Sequence, residues 1–121
     1  MKALLLSLLL AATPAHAEQV LFICYFDWVC DPNTKCTEAD ADIRFRVDID
    51  ANTVERIGGN SLSQFRLLLG DRALAILEQT ISGGVTTTSI MVDSGDAVHS
   101  ENSIKGTTLS PRQYLGRCRF A

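Results

Sequence analysis

Several things are scarce or missing in this chain of 121 residues, and each absence narrows what it can do. There are two histidines, three prolines and a single tryptophan, and no apolar run reaches the ~20 residues that a membrane-spanning helix requires. Lysines and arginines form no cluster, and no aromatic residues are laid out between lysines. Both features argue against a nucleic-acid or anionic-membrane surface. There is no G-x-S-x-G elbow and no C-x2-C pair, and His99 is the only histidine beyond residue 16. The usual layouts of α/β-hydrolases and of zinc sites are therefore lacking.

What is present begins with an export signal. Met1 and Lys2 form a short positive region, Ala3 to Ala12 an apolar core, and Ala15-His16-Ala17 a small-x-small cleavage site. Cleavage is expected between Ala17 and Glu18, giving signal peptide 1–17 and a single β domain 18–121. The first cysteine, Cys24, lies too far from that point for a lipoprotein, so a soluble periplasmic or secreted product is expected, with no membrane association after cleavage. The mature chain loses Lys2, which leaves ten Lys+Arg against fourteen Asp+Glu and a formal charge of −4. That is modestly acidic and permits a basic partner without indicating one.

All four cysteines, Cys24, Cys30, Cys36 and Cys118, lie after the cleavage site. In an oxidising compartment an even number in a short exported chain reads as disulfides. Three pairings exist. Cys24 with Cys118 and Cys30 with Cys36 is favoured, because the first would tie terminal strands and the second would close a Pro-Asn loop.

Ile43, Phe45, Val47 and Ile49 alternate with Arg44, Arg46, Asp48 and Asp50, the period-two pattern of a half-buried strand. Turn chemistry recurs at Asp50-Ala-Asn-Thr53, Ser82-Gly-Gly84, Asp93-Ser-Gly-Asp96 and Lys105-Gly106. Leu62, Phe65, Leu69, Ala73, Ile76 and Leu77 also fit a helical stripe with Ser61 and Gln64 as a capping box, but Gly70 would interrupt it, so a hairpin is preferred. The reading is all-β: an antiparallel up-and-down meander of about eight strands, Val20-Phe26, Asp42-Ile49, Val54-Ile57, Gln64-Leu69, Arg72-Thr80, Val85-Val92, Ala97-Ile104 and Tyr114-Phe120. An even count makes the first and last strands antiparallel neighbours if the sheet closes into a small barrel. A two-sheet sandwich is the alternative.

The Cys24…Cys30…Cys36 cluster, Glu78-Gln79…Gly83-Gly84-Val85-Thr86-Thr87-Thr88, Ala97-Val98-His99-Ser100 and Ser110-Pro-Arg-Gln-Tyr-Leu-Gly-Arg-Cys118 resemble a group of small exported proteins of unknown function from alphaproteobacteria. That resemblance implies no activity. The layout is also similar to the C-type lysozyme inhibitors, small periplasmic barrels whose terminal disulfide joins the first and last strands. The likeness is one of layout, since Ser82-Gly83 is too common a pair to stand for an inhibitory loop.

Candidate chemistry is sparse. His99 with Ser100, Asp93 and Asp96 can be written as a hydrolytic set, but on a strand His99 and Ser100 point to opposite faces, and His99→Ala is expected to leave a folded, functional protein. Asp48, Asp50 and Asn52 match the start of a calcium loop, yet Thr53 and Gly59 stand where it needs glycine and glutamate. Glu78 and Glu101 are a carboxylate pair of unknown spacing. Arg112, Tyr114, Arg117 and Arg119 make a mildly basic end. No catalytic, cofactor-binding or metal residue is assigned. Trp28, with Phe26 beside it in a disulfide-braced loop, is the interface candidate. The leading expectation is a noncatalytic exported β-barrel module that binds a protein or a small ligand in its interior. A small periplasmic hydrolase using His99, or a structural envelope protein, is the alternative.

Overall fold

The computed structural model describes residues 18–59 and 62–121, so the signal-peptide reading and Ser61 of the capping box lie outside the described residues. Eight strands follow one another: β1 (Gln19–Asp31), β2 (Thr34–Asp48), β3 (Thr53–Arg56), β4 (Gln64–Leu69), β5 (Ala73–Gln79), β6 (Val85–Met91), β7 (Asp96–Lys105) and β8 (Thr108–Phe120). They form one antiparallel sheet in the order β3-β2-β1-β8-β7-β6-β5-β4, curled into a nearly closed barrel. The first and last strands pair in the middle of this order, and the seam falls between β3 and β4. The segment around Gly70 is a hairpin, with the Gly70 amide donating to the Ala73 carbonyl at 3.0 Å.

Three strands run further than expected. β1 continues past Phe26, β2 starts at Thr34, and β8 starts at Thr108. The Cys30–Cys36 stretch is thus the tip of a long β1–β2 hairpin turning at Pro32 and Asn33, where the Asp31 carboxylate accepts the Asn33 amide at 2.9 Å. Polar residues hid these extensions, because Thr37, Glu38 and Asp40 carry no apolar alternation to mark a strand.

Both disulfides are formed, Cys24–Cys118 and Cys30–Cys36, and no cysteine is free among the described residues. Cys24 lies directly opposite Cys118 in the β1–β8 ladder. The Ala121 amide donates to the Leu21 carbonyl, and the Cys118 amide donates the other way, to Gly95 on the β7 side at 2.7 Å. Cys24 and Cys118 are therefore a non-hydrogen-bonded pair, the position where antiparallel strands approach most closely, and their Cα atoms are 3.9 Å apart. Both are buried in the core with Phe22, Phe26, Phe45, Val47, Ile76 and Ile90.

Gly116 is required by close approach. A Cβ there would collide with the Tyr25 carbonyl oxygen and lie 2.6 Å from Phe26 Cα, so β1 and β8 touch where no side chain fits.

Two stability predictions follow from these contacts. By the chain-entropy estimate the bridge spanning 94 residues contributes about 4.7 kcal/mol, and the one spanning six roughly 2.2 kcal/mol. Replacing Cys24 and Cys118 by serine should thus lower the urea midpoint more than replacing Cys30 and Cys36; equal losses would show that the long bridge does not restrain the unfolded chain. Gly116→Ala, which adds one methyl, should cost about 1–3 kcal/mol or more in the same assay.

Candidate functional site

Side chains alternate across each strand, so register decides which ones meet inside the barrel. Leu67, Ile76, Thr88, His99 and Tyr114 form one inward row across β4 to β8. The next row toward the Cys30–Cys36 end is Phe65, Glu78, Thr86, Glu101 and Arg112. The barrel interior is therefore polarised. The end around Cys24–Cys118 is filled by aliphatic and phenyl groups, whereas the other end carries hydroxyls, carboxylates and arginine.

His99 is buried, 3% exposed, with its ring against Phe26 and Tyr114 at centroid separations of 5.8 and 5.9 Å. Its Nδ1 lies 2.7 Å from Thr88 Oγ1 and its Nε2 3.9 Å from Glu101 Oε2. A neutral ring with its proton on Nε2 suits both neighbours: Nδ1 accepts from the Thr88 hydroxyl, and Nε2–H faces the carboxylate. Burial, aided by the nearby Arg56 guanidinium, lowers the His99 pKa to about 4. Glu78, also buried, takes its cation from β3 across the seam, Arg56 Nη1 to Glu78 Oε1 at 3.4 Å.

The structure brings His99 together with Thr88 and Glu101 but not with the hydrolytic set written from sequence. Ser100 lies on the outer face, hydrogen-bonded by Gln113, and Asp96 pairs with Arg117 on the outside. Thr88, the hydroxyl that does meet His99, is fully buried, so the pair has no surface at which to receive a substrate. Glu78 and Glu101 share a row with Thr86 between them, which sets their backbones about 10 Å apart, two strand spacings. The Asp48 carboxylate accepts the Ala51 amide at 2.9 Å, and Asn52 adopts φ 54°, so the calcium-like stretch is a turn stabilised by its own side chain. Among the described residues no group of three or more His, Cys, Asp or Glu is placed to hold a metal ion.

Trp28 and Phe26 part company. Phe26 is 0% exposed and belongs to the core, which corrects its reading as an interface residue, whereas Trp28 is 45% exposed. The alternation Phe22, Cys24, Phe26 would have carried Trp28 inward. Instead the β1–β8 register shifts between Phe26 and Trp28, with Phe26 opposite Gly116 and Trp28 opposite Leu115. Asp27 is the extra residue of a β-bulge, and it reverses the facing of everything after it. Trp28 consequently stands outside beside Leu115, with Tyr25 further along the same face. No sequence period signals a bulge; the hint available was Gly116, whose missing side chain admits it.

Tyr25, Asp42, Arg44, Arg117 and Arg119 line an open groove over Ile23 on the outer face of β2, β1 and β8. The Tyr25 hydroxyl donates to Asp40 at 2.9 Å, a bond that raises its pKa. Compared with known proteins, the chain matches no family model, no curated protein and no solved structure.

The buried histidine makes stability depend on pH. Its folded-state pKa of about 4 lies below the ordinary 6.5, so the unfolded chain takes up a proton first and stability falls as pH drops through that window. Full protonation would cost on the order of 3 kcal/mol. Between pH 6.5 and about 5, where most carboxylates remain ionised, a decline in urea midpoint should be strong in the wild type and weak in His99→Gln. His99→Ala, expected from sequence to be harmless, should lose about 2–3 kcal/mol, because it opens a cavity and orphans the Thr88 hydroxyl.

Proposed function

We propose that this chain is a noncatalytic binding module of the periplasm or extracellular space, whose partner is a protein docking on the outer face of the barrel around Trp28. The observation that carries this reading is the bulge at Asp27. A bulge is a local interruption of pairing, and this one requires Gly116 on the facing strand; its consequence is to present the single tryptophan to solvent beside Leu115 instead of burying it. Tryptophan and tyrosine on a rigid strand are the side chains that most often anchor interfaces, since they offer large apolar area with little rotamer entropy to lose.

The two disulfides support an oxidising, exported location. The resemblance of the layout to small periplasmic inhibitor barrels is in keeping with a protein partner. A hydrolase built on His99 would need a solvent-facing nucleophile beside the ring, and Thr88 and His99 are both buried. The aromatic core leaves the protein partner favoured over a small ligand held inside.

Affinity capture from periplasmic extract with the oxidised mature chain tests the proposal. A specific protein should be retained by the wild type and lost with Trp28→Ala, while the disulfides and thermal unfolding of the variant stay unchanged. Retention of the same protein by Trp28→Ala would remove Trp28 from the interface and with it the reading.

A further inference from the structure

We infer that the groove over Ile23 is a binding site for a single carboxylate attached to an apolar body. Arg44 on β2 and Arg119 on β8 are both opposite Ile23, one in each ladder, so two guanidiniums stand on either side of one aliphatic side chain. Their backbones are about 10 Å apart, two strand spacings, and both side chains point outward, long enough to reach toward each other over Ile23. The groove they flank has a volume of about 580 Å³, within the range of small-ligand sites.

The neighbouring cations are engaged elsewhere, and these two are not engaged equally. Arg46 is bonded to Glu55, and Arg117 to Asp96 at 3.2 Å. Arg44 approaches Asp42 from Nε at 3.6 Å, a longer contact on the exposed surface. Arg119 has no hydrogen-bond or ion-pair partner among the described residues. Two guanidinium forks thus flank an apolar floor, and such forks suit planar, bidentate recognition of a carboxylate.

The rim limits the ligand further. Asp42 lines the groove and Asp40 is held close by the Tyr25 hydroxyl, so a phosphate dianion or a polyanion would meet two nearby carboxylates. One negative charge is matched by Arg119 together with Arg44, and Ile23 with the Tyr25 ring offers the rest of the ligand apolar contact. A polypeptide C-terminus with an apolar last residue and a fatty acid share this chemistry. The site lies on the same face of β1 as Trp28 but rests on different residues, so either reading can fail without the other.

Amide shift mapping and calorimetry on the oxidised mature protein test the site with N-acetyl-leucine, its C-terminal amide, octanoate and inorganic phosphate. Saturable shifts at Ile23, Arg44 and Arg119 are expected with N-acetyl-leucine or octanoate and none with the amide. Arg119→Gln and Arg44→Gln should each weaken binding about tenfold, the worth of a charge-assisted hydrogen bond, whereas Arg112→Gln, at the Cys30–Cys36 end of the barrel and away from the groove, should not. Tighter binding of octanoate would assign the ligand to fatty acids, and tighter binding of N-acetyl-leucine to polypeptide termini. Equal binding of acid and amide, displacement by phosphate with the same arginine dependence, or no saturable shift would overturn the inference.

Discussion

The bond between Cys24 and Cys118 is the constraint from which the architecture extends. It joins two directly opposed residues of the first and last strands, at the close-approach position of the ladder and inside the core. A covalent link there fixes register as well as proximity, since a one-residue slip would put the two sulfurs on opposite faces of the sheet. With β1 and β8 locked as the centre of the sheet, the remaining strands extend as two arms, β2–β3 on one side and β7 to β4 on the other. The arms meet at a seam where, among the described residues, no strand ladder joins β3 to β4. The Arg56–Glu78 pair spans this gap. A covalent bond at the closed side and a partly buried ion pair at the open side give the barrel unequal halves.

The division between the two ends of the interior follows from the same register. Near Cys24 the inward positions are Phe22, Phe45, Val47 and Ile43, which fill space by apolar contact alone. Toward the Cys30–Cys36 hairpin tip they become Thr88, His99, Glu78 and Glu101. Burying these groups is tolerated because each faces a partner: Thr88 faces His99, His99 faces Glu101, and Glu78 faces Arg56. The pairing also explains why the histidine is neutral. Its ring accepts one hydrogen bond and is kept uncharged by burial, so its role is to complete the core rather than to exchange protons with solvent at ordinary pH.

Much of the fold was legible because its signals are local and periodic. Eight strands were readable, in order, from alternation in Ile43 to Ile49 and from glycine-bearing turns, and Gly70 decided the hairpin against the helix. Even the favoured disulfide pairing could be read from strand count. The missed parts have no period. β2 begins in Thr34-Lys-Cys-Thr-Glu, where pairing with β1 and the nearby disulfide, rather than hydrophobicity, impose the strand. His99 was placed correctly on a strand opposite in facing to Ser100, but its burial depended on which face was inner, and that is set by tertiary closure. Phe26 and Trp28 were grouped by adjacency, and a single inserted residue separates them.

That insertion also bears on which groups β1 presents to solvent. Up to Phe26, β1 obeys the alternation that its disulfide dictates, and its outward residues Ile23 and Tyr25 sit over the locked β1–β8 ladder. Beyond Asp27 the facing reverses, and the strand adds Trp28 to that same outer side. The result is an outward series on one strand, from Ile23 through Tyr25 to Trp28, backed by the most constrained pairing in the molecule. The backbone beneath these side chains is already fixed on both sides by β2 and β8, so presenting them requires no further ordering of the strand. The core and the disulfide thus hold rigid a face on which aromatic and cationic groups are exposed together.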